Sequence, residues 1–121
     1  NIMKINVKTT TLSLTPAISQ YVEKRFETFE KFFKNDSTVK FDLELARTSN
    51  HHKNGDIFRA EIHIVAKNKN LYASSEKEDL YTAIDEVRDE VLRKVKSSND
   101  KNRSLMRKGG AKIKSLLKVR N

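Results

Sequence analysis

The chain has 121 residues, a formal net charge of +9 and no cysteine. A chain without cysteine has no disulfide, thiolate metal site or cysteine nucleophile, which suits a reducing cytoplasm. No apolar run approaches the roughly 18 residues that a membrane-spanning helix needs, which argues against an integral membrane protein.

The charge is unevenly divided. Residues 1–96 carry 17 Lys/Arg and 15 Asp/Glu, a net charge of +2, whereas residues 97–121 carry eight basic residues and only Asp100, a net charge of +7. The length and this division predict one domain over residues 3–96 and a basic tail over residues 97–121. Basic tails frequently bind nucleic acid; the plainer interpretation is a solubilising tail.

The first predicted elements are a strand and a helix. Met3, Ile5 and Val7 alternate with polar residues, a pattern typical of a half-buried strand. Thr15 followed by Pro16 predicts a capped helix start. An apolar stripe at spacings of three and four follows: Ile18, Val22, Phe26, Phe29 and Phe33. Turn residues over 34–37 end this helix.

Three more strands and a second helix follow. Alternating apolar residues predict strands over 39–45, 58–66 and 71–75, with a polar connection over 48–56 that turns at Asn54-Gly55. The apolar stripe of the second helix is Leu80, Ala83, Ile84, Val87, Val91 and Val95. The order β-α-β-β-β-α predicts an α+β fold, with two helices packed on one face of a four-stranded sheet.

The second helix begins with acid and ends with base. Ser75 or Asp79 is its predicted N-cap, and Ser75 has Glu78 at capping-box spacing. Acidic residues at the start and basic ones at the end stabilise the helix dipole. Two i,i+4 ion pairs are also predicted, Asp89–Arg93 and Glu90–Lys94.

Catalytic chemistry is poorly supported by the sequence. His51 and His52 lie in a loop near Asp56, but adjacent loop histidines lack a fixed third ligand. His63 fits a solvent-facing strand position. No phosphate-binding glycine loop follows a strand. We therefore expect no enzyme, no metal and no cofactor.

Basic residues are the better candidates, because Lys and Arg contacts to phosphate supply sequence-independent affinity. The domain candidates are Lys24, Arg25, Lys31, Arg93, Lys94 and Lys96. The tail candidates are Lys101, Arg103, Arg107, Lys108, Lys112 and Lys114. Few aromatic residues fall on predicted surfaces, which favours double-helical RNA recognised by shape over single strands.

The end of the tail, "AKIKSLLKVR", has an amphipathic pattern. Ile113, Leu116 and Leu117 share one side of a helix, with basic residues around them. A helix of about ten residues is marginal alone, so we expect docking to order it, on the domain, a neighbour or RNA. A membrane surface or a protein groove is the alternative partner for such a helix.

Two stretches resemble one known family. "INVKTTTLSLTPAISQYVEKRFETFEKFF" resembles its first strand and helix, and "FRAEIHI" with "LYASSEKEDLYTAIDEVRDEVLRK" resembles its last strands and helix. An acidic pair followed by "LYTAID", residues 80–85, is the most specific element. The family is the ribosome hibernation promoting factors, also called ribosome-associated inhibitor A or sigma-54 modulation proteins. The resemblance covers residues 3–96 and implies the fold derived above.

The resemblance implies a cytoplasmic bacterial protein that inhibits translation under stress and is not an enzyme. Such proteins bind the decoding channel of the small ribosomal subunit, where messenger RNA and transfer RNA would sit. The implied partners are the small subunit and its ribosomal RNA, with no membrane and no cofactor, and the protein is expected to be a monomer. By position, Arg25, Lys31 and Arg93 match basic family residues, whereas Tyr81 and Asp85 match signature positions with structural roles.

Some positions depart from the family pattern. Many members carry Lys at the positions of Thr28 and Glu90, and a Lys/His cluster at residues 97–99. The basic tail is a possible compensation. Long members have a second domain that pairs ribosomes; the chain ends at Asn121 without one, which predicts a short-type factor, the alternative being a truncated long form.

Three hypotheses follow. The first is a ribosome-binding translation inhibitor. The second is a general double-stranded RNA-binding module or RNA chaperone. The third is an adaptor that docks on a protein or a membrane through its amphipathic tail.

Overall fold

The computed structural model describes residues 4–34, 36–49, 55–67 and 69–98. The elements are β1 (Ile5–Thr10), α1 (Pro16–Phe26), a 3-10 turn (Glu27–Phe29), α2 (Glu30–Phe33), β2 (Lys40–Ser49), β3 (Asp56–Ala66), β4 (Lys69–Lys77) and α3 (residues 80–98). With α1 and α2 forming one helical unit, the predicted order β-α-β-β-β-α is confirmed. The predicted tail helix and the His51-His52 loop lie outside the described residues.

The four strands form one mixed sheet in the order β1-β2-β3-β4. β1 is parallel to β2, because the helical unit carries the chain back across the sheet, and the other neighbours are antiparallel. Three rows of paired residues form the sheet side of the core: Ile5, Phe41, Ile64 and Leu71, then Val7, Leu43, Ile62 and Ala73, then Leu45 and Ala60. These rows face the helices, and on the opposite face, the open face in the described part of the chain, Asn6, Asp42, His63 and Tyr72 are exposed.

Aromatic residues join the helical unit to the sheet. The rings of Phe26 and Phe29 stack with centroids 5.3 Å apart, and Phe29 lies 6.1 Å from Phe41. All three side chains are completely buried. Truncating one of them to Ala would cost about 3–5 kcal/mol, because the cavity left behind cannot fully collapse.

The first helix begins as predicted but does not run straight to its end. Thr15 caps it, its hydroxyl accepting the Ile18 N–H at 3.2 Å, and Pro16 is the first helical residue. The prediction of one continuous helix is wrong, because Phe26 leaves the helical region at φ −95° and ψ 1° and a 3-10 turn follows. Residues three apart share a side of a 3-10 turn, so Phe26 and Phe29 both enter the core.

The start of α3 decides between the two predicted caps. The carboxylate of Asp79 accepts the Thr82 N–H at 2.9 Å, so Asp79 is the cap. Ser75 lies in β4 and is buried, and its hydroxyl donates to Glu86 at 2.5 Å. The capping box from Ser75 is therefore wrong: β4 extends two residues beyond it.

Candidate nucleic-acid interface

The two long helices lie side by side and run in the same direction. Tyr21 of α1 meets Tyr81 of α3 edge to face, with ring centroids 4.8 Å apart. One turn further along both helices, Arg25 lies beside Asp85. We call the contact formed by Tyr21, Arg25, Thr28, Tyr81, Asp85 and Arg88 the helix seam.

The carboxylate of Asp85 is the centre of the helix seam. Its Oδ1 accepts the Tyr21 hydroxyl at 2.6 Å and lies 2.8 Å from the Arg25 Nε. The Arg25 Nε is buried and its N–H is not aligned with a described acceptor, so this contact is an ion pair without hydrogen-bond geometry. The hydrogen bond to Asp85, followed by burial, raises the pKa of Tyr21 above its ordinary value of 10.0.

Arg88 closes the helix seam at its far end. Its Nε donates to the Arg25 carbonyl at 3.0 Å and its Nη2 to the Thr28 hydroxyl at 3.2 Å. Its Nη1 lies 2.6 Å from Asp89, which therefore pairs with Arg88 rather than with the predicted Arg93. The side chain is only 17% exposed, so the guanidinium positions one helix against the other.

Sequence reasoning did not single out Arg88. A signal was present: Arg88 lies between Ile84 and Leu92 at i±4, at the margin of the apolar stripe. An arginine at such a margin buries its stem and directs its head across the helix contact. The hydroxyl of Thr28 accepts a hydrogen bond from this guanidinium.

Two of the six domain candidates have partners within the protein. Arg25 is held in the helix seam. Lys94 donates to the Tyr72 carbonyl at 2.5 Å and lies 3.5 Å from Glu90, so the predicted pair with Glu90 is confirmed. The bond to the Tyr72 carbonyl directs the Lys94 ammonium towards β4.

The other four domain candidates project into solvent from the helices. Lys24 and Lys31 are exposed on the first helical unit, and Arg93 and Lys96 are exposed on α3. Within the described part of the chain none of them has an ion pair or a hydrogen bond; Lys31 lies 5.4 Å from the Phe32 ring. We call these four residues the basic rim. Lys101, Arg103, Arg107 and Lys108 lie outside the described residues.

The described residues show little that resembles a reaction centre. Over residues 4–34, 36–49, 55–67 and 69–98, no group of three or more His, Asp or Glu side chains is placed to hold a metal ion. His63 is exposed on the open face of the sheet, where its Nε2 contacts Asn70, as predicted for a solvent-facing residue. No helix in this part of the chain is long and apolar enough to cross a membrane.

Comparison with known proteins gives consistent matches. Residues 5–103 match the family described as Sigma 54 modulation protein / S30EA ribosomal protein. A ribosome hibernation promotion factor of Picosynechococcus sp. is 30% identical over 100 residues, which are 83% of this chain and 51% of that protein. A ribosome hibernation promoting factor of Klebsiella oxytoca is 27% identical over 99 residues, 82% of this chain and 96% of that protein.

A solved structure has the same fold. The N-terminal domain of Thermus thermophilus Protein Y superposes with a TM-score of 0.63 at 27% identity, covering 78% of this chain and 98% of that domain. The chain thus corresponds to about half of the Picosynechococcus protein and to nearly all of the Klebsiella one.

Proposed function

The chain belongs to the Sigma 54 modulation protein / S30EA ribosomal protein family, and from this premise we propose that it is a ribosome hibernation factor. It binds the small ribosomal subunit in the decoding channel and acts by occupying that space rather than by catalysis. The names of its bacterial relatives support the first part of the proposal. Acting on ribosomes, it works in the cytoplasm.

The observation that carries the proposal for the site is the basic rim. Four cations without partners among the described residues stand on one helical surface of a domain whose residues 1–96 carry only +2. Unpaired Lys and Arg lose no existing ion pair when they bind phosphate. Exposed cations on two neighbouring helices suit the phosphate backbones of a folded RNA, which is recognised mainly by its shape.

The helix seam supports this surface without contributing free charge. Because Arg25 and Arg88 are engaged between the helices, they fix the spacing of the rim residues on either side. Arg25 remains a candidate contact through its outer guanidinium nitrogens, since 37% of its side chain is exposed. The tail, residues 97–121, adds phosphate contacts beyond the domain.

The proposal is tested by sucrose-gradient sedimentation with separated ribosomal subunits at low and high salt. We expect the protein to travel with the small subunit at low salt, to leave it at high salt, and to be displaced by transfer RNA. Equal binding to a naked RNA duplex, without competition by transfer RNA, would favour a general duplex-binding module. A protein that stays at the top of the gradient at low salt contradicts both functions.

A further inference from the structure

A groove of about 800 Å³ lies between the edge strand β1 and the outer flank of α1. Among the described residues β1 pairs with β2 alone, and its other edge borders this groove. Ile5 and Val7 form a half-buried apolar floor, with the buried Val22 behind them. An apolar floor beside an exposed sheet edge is suited to a peptide segment with one apolar face.

The helical wall of the groove is acidic, whereas the strand side carries one cation, Lys4. Glu23, Glu27 and Glu30 follow one another at spacings of four and three, so they form one row along the helical unit. All three are exposed, and none has an ion pair or hydrogen bond within the residues that the structure describes. Adjacent carboxylates repel one another, so this row is a site where cations lower the free energy of the folded domain.

We propose that the groove is the docking site of the chain's own segment 111–120. This segment carries four basic residues and no acidic one, the opposite of the groove wall. As a helix it places Ile113, Leu116 and Leu117 on one side, which matches the apolar floor. The lysines that flank this side then face the carboxylates of the groove wall.

The connection is long enough for docking within one molecule. Residues 99–110 link α3 to the segment and span up to about 40 Å when extended. A domain of this size is roughly 30 Å across. Gly109 and Gly110, just before the segment, allow the chain to turn into the groove. A short tether also raises the effective concentration of the segment to about the millimolar range.

Docking and phosphate binding then compete for the same charges. While segment 111–120 lies against the carboxylates, its cations are paired with them and the segment occupies the groove. RNA that draws the segment away must first replace these contacts. The inference does not depend on the proposed function, because docking is measured without ribosomes.

The experiment is paramagnetic relaxation enhancement by NMR on the complete chain. The sequence has no cysteine, so Ser115→Cys gives a single site for a nitroxide label. We expect amide signals of residues 4–8 and 19–30 to broaden most, and the broadening to decline across the sheet from β1 to β4. Broadening that is spread evenly over the domain, or is absent from the groove, overturns the proposal.

Two further samples keep the result specific. In a mixture of isotope-labelled chain without nitroxide and unlabelled chain with nitroxide, groove broadening is expected to vanish; its persistence means docking on a second copy and overturns the proposal.

Glu23→Gln, Glu27→Gln and Glu30→Gln together are expected to abolish the broadening. The matched control removes the same charge from the open face of the sheet, through Asp42→Asn, Glu44→Gln and Glu61→Gln. It is expected to leave the broadening unchanged. Equal loss of broadening in both variants contradicts docking in the groove.

Discussion

The helix seam and the basic rim use similar residues for opposite purposes. Arg88 in the seam is 17% exposed, with its guanidinium bonded to both helices. Arg93 in the rim, only five positions later, is exposed and has no ion pair among the described residues. The seam therefore holds the two helices together, and the rim is the surface that we propose for binding. Arginine content alone does not separate the two roles.

Neutralising the basic rim gives the largest expected change. It should alter the binding affinity and leave the stability of the domain almost unchanged. With all four rim residues changed to Gln, the slope of log affinity for the small subunit against log salt should fall by about 3–4, because each lost phosphate contact removes about 0.9. The free energy of unfolding should change by less than about 0.5 kcal/mol per site. Sedimentation across a salt series measures the first quantity and urea unfolding the second.

A matched variant tests whether the affinity depends on where the cations lie or on the net charge of the protein. Lys8, Lys40, Arg47 and Arg59 lie on the strands of the sheet and not on the helices. Changing these four to Gln removes the same charge and should leave most of the slope intact. Equal losses in both variants would mean that the rim is no special surface and that net charge governs binding.

Removing Arg88 should give the next largest change, in stability. In Arg88→Ala the Arg25 carbonyl and the Thr28 hydroxyl lose a nearly buried charged donor, so the free energy of unfolding should fall by about 2–3 kcal/mol. Urea unfolding measures the loss. Arg93→Ala is the control and should stay within about 0.5 kcal/mol of the unmodified protein. A small loss at Arg88 would show that apolar packing alone holds the two helices in place.

Tyr21→Phe should give the smallest change, with a diagnostic pH dependence. It removes the hydroxyl bonded to Asp85 and should cost about 1 kcal/mol of unfolding free energy near neutral pH. Because the pKa of Tyr21 is raised in the folded protein, this contribution is complete below pH 10 and is lost as the pH rises through the folded pKa. Urea unfolding between pH 7 and 11 measures the difference between the two proteins, which cancels the titration of lysines. A difference that grows above pH 10 contradicts the assignment.

The sequence predicts the apolar framework well because periodicity reports burial directly. Val22 and Val91 lie where their stripes place them, both completely buried. Periodicity carries less information about where an element changes or ends, so the 3-10 turn at Glu27–Phe29 and the extension of β4 past Ser75 were missed. Both depend on contacts with other elements, through the core at Phe29 and through Glu86 at Ser75.

The candidate site likewise has one property that the sequence shows and one that it does not. Exposed cations such as Lys24 and Arg93 are visible in the sequence, since they fall on the polar sides of predicted helices. Whether a cation is engaged is not visible, because the partners of Arg25 and Lys94 include residues more than 20 positions away, Asp85 and the Tyr72 carbonyl. A single sequence without the fold gives no distance between such positions.

The hydrogen bonds of the helix seam join residues 60 to 64 positions apart, linking the first helix of the domain to its last. Contacts of such high sequence separation need both ends of the domain, so they form only once α3 has been synthesised. A nascent chain that has reached only β4 carries Lys24 and Lys31 but lacks Arg93 and Lys96 and the residues that align the two pairs. The complete binding surface therefore exists only after the whole domain has been synthesised and packed. A chain that ends before α3 therefore carries only two of the four rim cations that we propose to bind phosphate.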